Sequence, residues 1–169
     1  MIRPIVKYGD TVLARPAEAV ADVTEETRQL IADMIDTMYA APGIGLAAPQ
    51  IGVPLRICVI DITGGRHGAD VLALINPEFL ERTGMQLEEE GCLSLPGHNA
   101  TVARPERAVV KALDRNGQVI TIEGTGLLAR ALLHELDHLE GTLFVDRLRG
   151  LRRDFILRKV RKQQRAGTW

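Results

Sequence analysis

The sequence predicts an α+β fold, and three observations carry that prediction. Strand-like runs fill the middle of the chain. They are joined by turns, with hairpin chemistry at one junction. Helical periodicity is confined to one segment before them and two after them. There is no internal repeat and no linker, so the expectation is one domain over residues 1–169, long enough to bury a proper core.

The opening, Met1–Ala21, reads as loop, punctuated by Pro4, Gly9 and Pro16. Asp22 or Thr24 can cap the first helix, and Asp22-Val23-Thr24-Glu25 has capping-box form. Leu30, Ile31, Met34, Ile35 and Met38 then form a helical stripe that reads as core. Ala41–Gln50 follows, with small residues, two prolines and no charge. Its glycines let backbone approach a ligand or another strand. Gln50 is the only side chain there that both donates and accepts hydrogen bonds. The stretch does not fit a phosphate loop, since it lacks both Gly-Lys-Ser/Thr and G-x-G-x-x-G.

Leu55–Asp61 and Val71–Ile75 read as strands, the second ended by Asn76-Pro77. His67 lies in the intervening turn and is expected to face solvent. Cys58 sits within an apolar strand and reads as a small core residue. Cys92 differs. It lies in Glu90-Gly91-Cys92-Leu93-Ser94, bounded by glycine and placed for access, with His98 in the turn beyond. Thr101–Arg104, Ala108–Leu113 and Val119–Glu123 read as further strands, the last two joined by Asp114-Arg115-Asn116-Gly117.

Leu127–Glu140 is the main helix, with Leu127, Leu128, Ala131, Leu132, Leu136 and Leu139 at helical spacing and Gly141 as its stop. It carries His134-Glu135-Leu136-Asp137-His138. Residues four apart share a helix face, so His134 and His138 can present two imidazoles to one metal ion with Glu135 beside them as a base. A catalytic site usually has three protein ligands. Phe144 stands where a third histidine follows in one protease pattern, and no Glu follows Glu140. Asp146 is close in sequence and Asp154 sits among basic residues, so the third ligand is sought upstream, with Cys92 the residue to examine. After the helix, Leu143-Phe144-Val145 is apolar. The segment from Leu148 to about Gln164 reads as helix, with Leu148, Leu151, Phe155 and Ile156 as docking residues.

Composition is that of a globular protein, with 46% hydrophobic and 25% charged residues. The formal charge of −1 names no partner, and two cysteines make no disulfide framework. The N-terminus has no signal or transit character, and no run reaches the ~20 apolar residues of a membrane span. A cytoplasmic location and no membrane partner are expected. Charge is unevenly placed: from Gly150 to Trp169 seven Lys/Arg and one Asp give +6, leaving −7 elsewhere. Such asymmetry can mark nucleic-acid contact or a solvated face.

Three motifs stand in order: Gly43-Ile44-Gly45-Leu46-Ala47-Ala48-Pro49-Gln50, Glu90-Gly91-Cys92-Leu93-Ser94 and His134-Glu135-Leu136-Asp137-His138. Together they closely resemble the peptide deformylase family, with its G-x-G-x-A-A-x-Q, E-G-C-x-S and H-E-x-x-H. The resemblance runs from the opening through Asp146. Leu133 departs from the Gln or Cys that many members carry there, at a position that is not a ligand.

The resemblance implies antiparallel sheets packed around the metal-binding helix, with a C-terminal helix. It implies a hydrolase of a linear amide that removes the N-formyl group from the formyl-methionine of new proteins and releases formate. It further implies Cys92, His134 and His138 as metal ligands, Glu135 as acid and base, and Gln50 and the Leu93 N–H at the formyl oxygen. Gly45 and Gly91 would hold the substrate backbone. Ile44, Leu127 and Ala131 are the expected lining of a methionine pocket. The implied cofactor is one Fe(II), replaceable by Zn, Ni or Co in purified protein. The implied partners are nascent formyl-methionyl peptides and, through the basic tail, the ribosome, with the protein a monomer. A zinc peptidase and a closed structural metal module are the rival readings. The first lacks its downstream ligand and the second a fourth one.

Overall fold

The computed structural model describes residues 1–66 and 71–169, so the expectation for His67 falls outside the described residues. Helix α1 spans Glu25–Ala40 and is followed by strands β1 (Gly45–Ala47), β2 (Ile57–Ile60) and β3 (Leu72–Thr83). Then come β4 (Gln86–Gly91), β5 (Asn99–Arg104), β6 (Arg107–Leu113) and β7 (Val119–Thr125), then α2 (Gly126–Leu139) and α3 (Leu151–Ala166). Single turns of 3-10 helix occupy Thr11–Ala14, Ala48–Ile51 and Phe144–Arg147. The first of these lies inside the segment read as loop.

All pairings between strands are antiparallel. Five strands form one sheet in the order β1-β2-β3-β6-β7, and β4 and β5 form a second. The α+β expectation holds. The large sheet is covered on both faces, and β2 shows how. Its alternate residues Ile57 and Val59 pack with Leu30, Ile31, Met34 and Met38 of α1. The intervening Cys58 and Ile60 pack with Ala131, Leu132, Leu136 and Leu139 of α2. A strand buried on both faces is a continuous apolar run, as this one is. A third cluster joins the small sheet, through Val102, to Leu13, Leu95, Phe144 and the inner face of α3.

Several boundaries differ from the expectations. Helix α1 is capped by Thr24, which exchanges hydrogen bonds with Thr27, so Asp22 and Glu25 do not form the box. Strand β3 runs on through Asn76-Pro77. Asn76 takes φ +52° and sits at a register shift, while its side chain exchanges hydrogen bonds with the Val20 backbone. A bulge there admits proline without a broken ladder. Strand β4 is not among the strands expected from the sequence. Glu88 and Glu89 face solvent while Glu90 is buried, so burial at one position of the strand was hidden by three like residues. On α3 the docking face is Ile156, Leu157 and Val160, whereas Leu151 is 84% and Phe155 58% exposed. The helix is rotated from the predicted stripe because Ile156 and Val160, four apart, face inward together.

Candidate active site

Helix α2 carries His134, Glu135 and His138 on its buried side, against β1 and the segment after β4. Gly141 closes it with φ +78°, in the left-handed region where glycine is favoured. A cleft of about 590 Å³ opens beside this helix. Ile44, Gly45, Gln50, Gly91, Cys92 and Leu93 line one part of it. Leu127, Ala131, His134 and Glu135 line another. The predicted site residues therefore converge on one cavity, apart from His138, which is not among its lining residues.

The ligand atoms of Cys92, His134 and His138 lie within 4.8 Å of one another. His134 Nε2 is 3.2 Å and Cys92 Sγ is 3.3 Å from His138 Nε2. A tetrahedral ion with bonds of about 2.0–2.1 Å to nitrogen and about 2.3 Å to sulfur separates its donor atoms by about 3.3–3.6 Å. The measured edges come close to that spacing. His134 Nδ1 lies 2.6 Å from Glu90 Oε1, which turns its Nε2 toward Cys92 and His138. The donor set, one soft thiolate and two imidazoles, fits a first-row divalent metal. Asp146 instead accepts from the Leu143 N–H, and Asp154 is exposed on α3, so neither reaches this centre.

Glu90 is the centre of a buried charge network. Its two oxygens accept from His134, from Arg104 at 2.5 and 3.1 Å, and from Arg130 at 2.6 Å. Arg104 also donates to Asp137, which in turn binds Arg147. Burial opposes the charge on Glu90, but His134 and Arg104 outweigh it and hold the carboxyl at about 2. Burial likewise opposes the charge on His134, but the Cys92 thiol and Glu90 on its two nitrogens hold it well above the usual histidine value. Burial and the neighbouring His134 push His138 well below it.

Glu135 is 3% exposed, and its Oε2 has no hydrogen-bond partner among the described residues. Burial, helped by Glu90 and Asp137, lifts its carboxyl to about 7 against the opposing pull of His134 and Arg104. Gln50 is 1% exposed and its amide is fixed in one sense. Oε1 accepts from the Ala47 N–H at 3.0 Å, so Nε2 points to Cys92 Sγ at 3.6 Å and to Ser94 Oγ at 3.2 Å. The segment before the first turn ties these two motifs together. Val6 N–H donates to the Gln50 carbonyl and Tyr8 N–H to the Ser94 carbonyl.

Gly45 and Gly91 lie on β1 and β4, each an outermost strand of its sheet, and both line the cleft. Cys58 lies in the sheet, and burial holds its thiol well above its usual value. One residue outside the sequence reading belongs to the cavity and its support. Arg130 lines the cleft and binds Glu90. The signal for it was present, since Arg130, His134 and His138 recur every four residues on one helix face. His98 has a structural part. Its Nε2 lies 2.8 Å from Gln163 Oε1 and its ring packs near Trp169, which joins the turn after Cys92 to α3.

The family model described as polypeptide deformylase matches residues 2–154. The chain is 52% identical over 169 residues to a peptide deformylase of Acidobacterium capsulatum, covering 100% of this chain and 99% of that one. It is 48% identical over 163 residues to a peptide deformylase of Thermodesulfovibrio yellowstonii, covering 96% and 99%. Among solved structures it is similar to a peptide deformylase from Legionella pneumophila, with TM-score 0.92, 48% identity and coverage of 99% and 98%. It is also similar to a Synechococcus elongatus peptide deformylase in complex with actinonin, with TM-score 0.89, 42% identity and coverage of 95% and 90%. The chain belongs to the polypeptide deformylase family, metal-dependent hydrolases that remove the N-formyl group from newly made polypeptides.

Proposed function

We propose that Cys92, His134 and His138 hold the metal of this deformylase and that Glu135, Gln50 and the Leu93 N–H carry the chemistry around it. The observation that carries this reading is the convergence of one thiol and two imidazole nitrogens within 4.8 Å, with Cys92 and His134 lining the cleft. When bound there, a divalent ion supplies the Lewis acidity that makes water a nucleophile at neutral pH and polarises the formyl carbonyl. Glu135 takes the proton from the attacking water and delivers it to the nitrogen of the scissile amide as the C–N bond breaks. Water and formamide thus become formate and a free amine, with the proton carried by one carboxylate. Gln50 Nε2 and the Leu93 N–H donate to the formyl oxygen as negative charge develops on it. Gly45 and Gly91 receive the substrate backbone as an added strand between two sheet edges. Ile44, Leu127 and Ala131 contact its methionine side chain. The cleft also accepts actinonin in this reading, as the Synechococcus elongatus protein does.

Fe(II) is the proposed resident ion, with zinc, nickel or cobalt able to replace it in purified protein. The thiolate favours these metals over magnesium or calcium. The single chain of 169 residues is proposed to act as one catalytic domain, as a monomer, in the cytoplasm. No helix among the described residues is long and apolar enough to cross a membrane. For the ribosome, the proposed contact is the exposed basic face of α3. Deleting the tail from Leu151 would also remove the buried Ile156, Leu157 and Val160, so charge reversal at Arg158, Arg161, Lys162 and Arg165 is the cleaner test. It is expected to weaken ribosome binding and flatten its salt dependence, and unchanged binding removes the idea.

The test of the site is formate release from formyl-Met-Ala-Ser by anaerobically purified, Fe(II)-loaded protein, with Cys92→Ala as control. Release by the wild type and none by the variant is the expected result. Mass spectrometry of the product separates the rivals: loss of formyl alone, chain cleavage by a peptidase, or no reaction.

A further inference from the structure

Arg130 stands between two parts of this site. It is 5% exposed, yet it lines the cleft between Leu127 and Ala131 on the same helix. Its guanidinium donates to three fixed acceptors: Glu90 Oε2 at 2.6 Å, Gln86 Oε1 at 3.3 Å and the Val102 carbonyl at 3.2 Å. The first two acceptors belong to β4 and the third to β5. Gln86 is itself held, because its Nε2 donates to the carbonyls of Pro105 and Gly126. A planar cation bonded to three anchored groups at a buried position has little freedom to move.

Arg130 is one of two guanidinium groups on Glu90. Arg104 already neutralises Glu90 and bridges it to Asp137. A second guanidinium on the same buried carboxylate adds desolvation, and removing it alone would leave the Glu90, Gln86 and Val102 acceptors short of a donor. The difference between the two arginines is position. Arg130 is a wall of the cleft and Arg104 is not among its lining residues. Glu90 in turn offers its other oxygen to His134 Nδ1.

We infer that Arg130 is a positioning and specificity residue that couples the substrate side-chain pocket to the metal centre, acting on His134 through Glu90. Its aliphatic stem meets an unbranched side chain such as methionine. Its guanidinium fixes the carboxylate that orients the histidine. A substrate that fills the pocket presses on the same residue that sets ligand geometry, so side-chain recognition and metal alignment share one part. This inference rests on the proposed ligand role of His134.

The test uses the full chain loaded with Co(II), read by metal competition, by the visible spectrum, and by the kcat and KM for formyl-Met and formyl-Ala peptides. Arg130→Met keeps an unbranched stem and removes the fork. It is expected to lower Co(II) affinity about 10-fold or more, shift the ligand-field bands and lower kcat, while KM for formyl-Met and its preference over formyl-Ala stay near wild type. Arg130→Ala is expected to lose that preference as well. Arg130→Lys is expected to fall between wild type and Arg130→Met in affinity. Wild-type Co(II) affinity and spectrum in folded Arg130→Met overturn the inference. If that variant does not fold, Arg130→Lys decides, because one ammonium cannot serve all three acceptors. Unchanged affinity and preference there overturn it too. Wild-type Co(II) affinity and spectrum in folded His134→Ala overturn the ligand role of His134 itself, and are thereby distinguished from failure of the Arg130 coupling.

Discussion

A β-carbon on Gly45 would lie 2.5 Å from Oε1 of Glu135 and 3.0 Å from its carboxyl carbon. The carboxylate occupies the room that a side chain on β1 would fill, so the first motif makes space for the third. Gly45→Ala is expected to displace Glu135 while sparing the fold, since the clash is with a side chain. A shift of about 1 Å at a reacting group typically lowers turnover about 100-fold. The expected result is a loss of that order in kcat with metal content and melting temperature close to wild type. Full activity in Gly45→Ala would contradict it.

Glu135→Ala removes the proposed proton carrier and leaves all three proposed ligands. It is expected to retain stoichiometric metal, measured by elemental analysis, and to lose about 10²–10⁴-fold in kcat. Normal turnover in a metal-replete variant would remove Glu135 from the mechanism.

Gln50→Leu deletes the proposed oxyanion donor and keeps much of the volume. The expected loss is about 10²–10³-fold in kcat, with KM for the peptide moved far less. A loss confined to KM would mean that Gln50 only binds substrate.

The sequence carried the chemistry of this site further than it carried the architecture. Two histidines four apart with a glutamate between them specify a face of a helix, whatever the rest of the fold does. Cys92 and Gln50 stood out because each was the only reactive or two-way polar group in a glycine-bounded stretch. Strand β4 was hidden because Glu88, Glu89 and Glu90 look alike until the fold buries one of them against Arg104 and Arg130. The passage of β3 through Asn76-Pro77 depends on a hydrogen-bond exchange with Val20, 56 residues away. No local propensity encodes that. The closeness of Gly45 to Glu135 is equally non-local.

Gly141 combines φ +78° with a crowded setting. A β-carbon there would lie 2.9 Å from the carbonyl carbons of Ala14 and Arg15. Those are backbone atoms and cannot swing aside. Gly141→Ala therefore adds left-handed strain of about 1–2 kcal/mol to overpacking of about 1–3 kcal/mol. It is expected to lower stability in chemical denaturation by at least about 2 kcal/mol, and a change within error would show that the chain between Ala14 and α2 relaxes freely.

Asp33 on α1 accepts from Arg3 at 2.6 and 2.9 Å and from the Met1 amine at 3.0 Å, which hold its carboxyl at about 2. The folded-state pKa lies below the ordinary value near 3.9. The stabilisation is therefore complete above about pH 4 and fades as the pH falls toward 2. Asp33→Asn is expected to be less stable than wild type at pH 6, with the gap narrowing as the pH is lowered from 4 to 2. A gap that stays constant over that range would show that Asp33 is not ionically held.

The backbone links from Val6 to Gln50 and from Tyr8 to Ser94 bear on timing during synthesis and assembly. Cys92 and His138 are 46 residues apart in the chain, and the linking segment lies ahead of both. No partial chain holds a complete centre, and loop closure between such distant parts precedes any reward from the ion. Glu90, Arg104 and Asp137 hold the helix through side-chain ion pairs. Uptake of the proposed metal is then expected to be an event of the finished fold. Chelation is expected to strip the ion and leave far-ultraviolet circular dichroism intact, unlike a zinc finger that unfolds when its metal is removed. A newly made copy waits for its last helices, then for its ion, before it can act on any chain, including other copies of itself still being made.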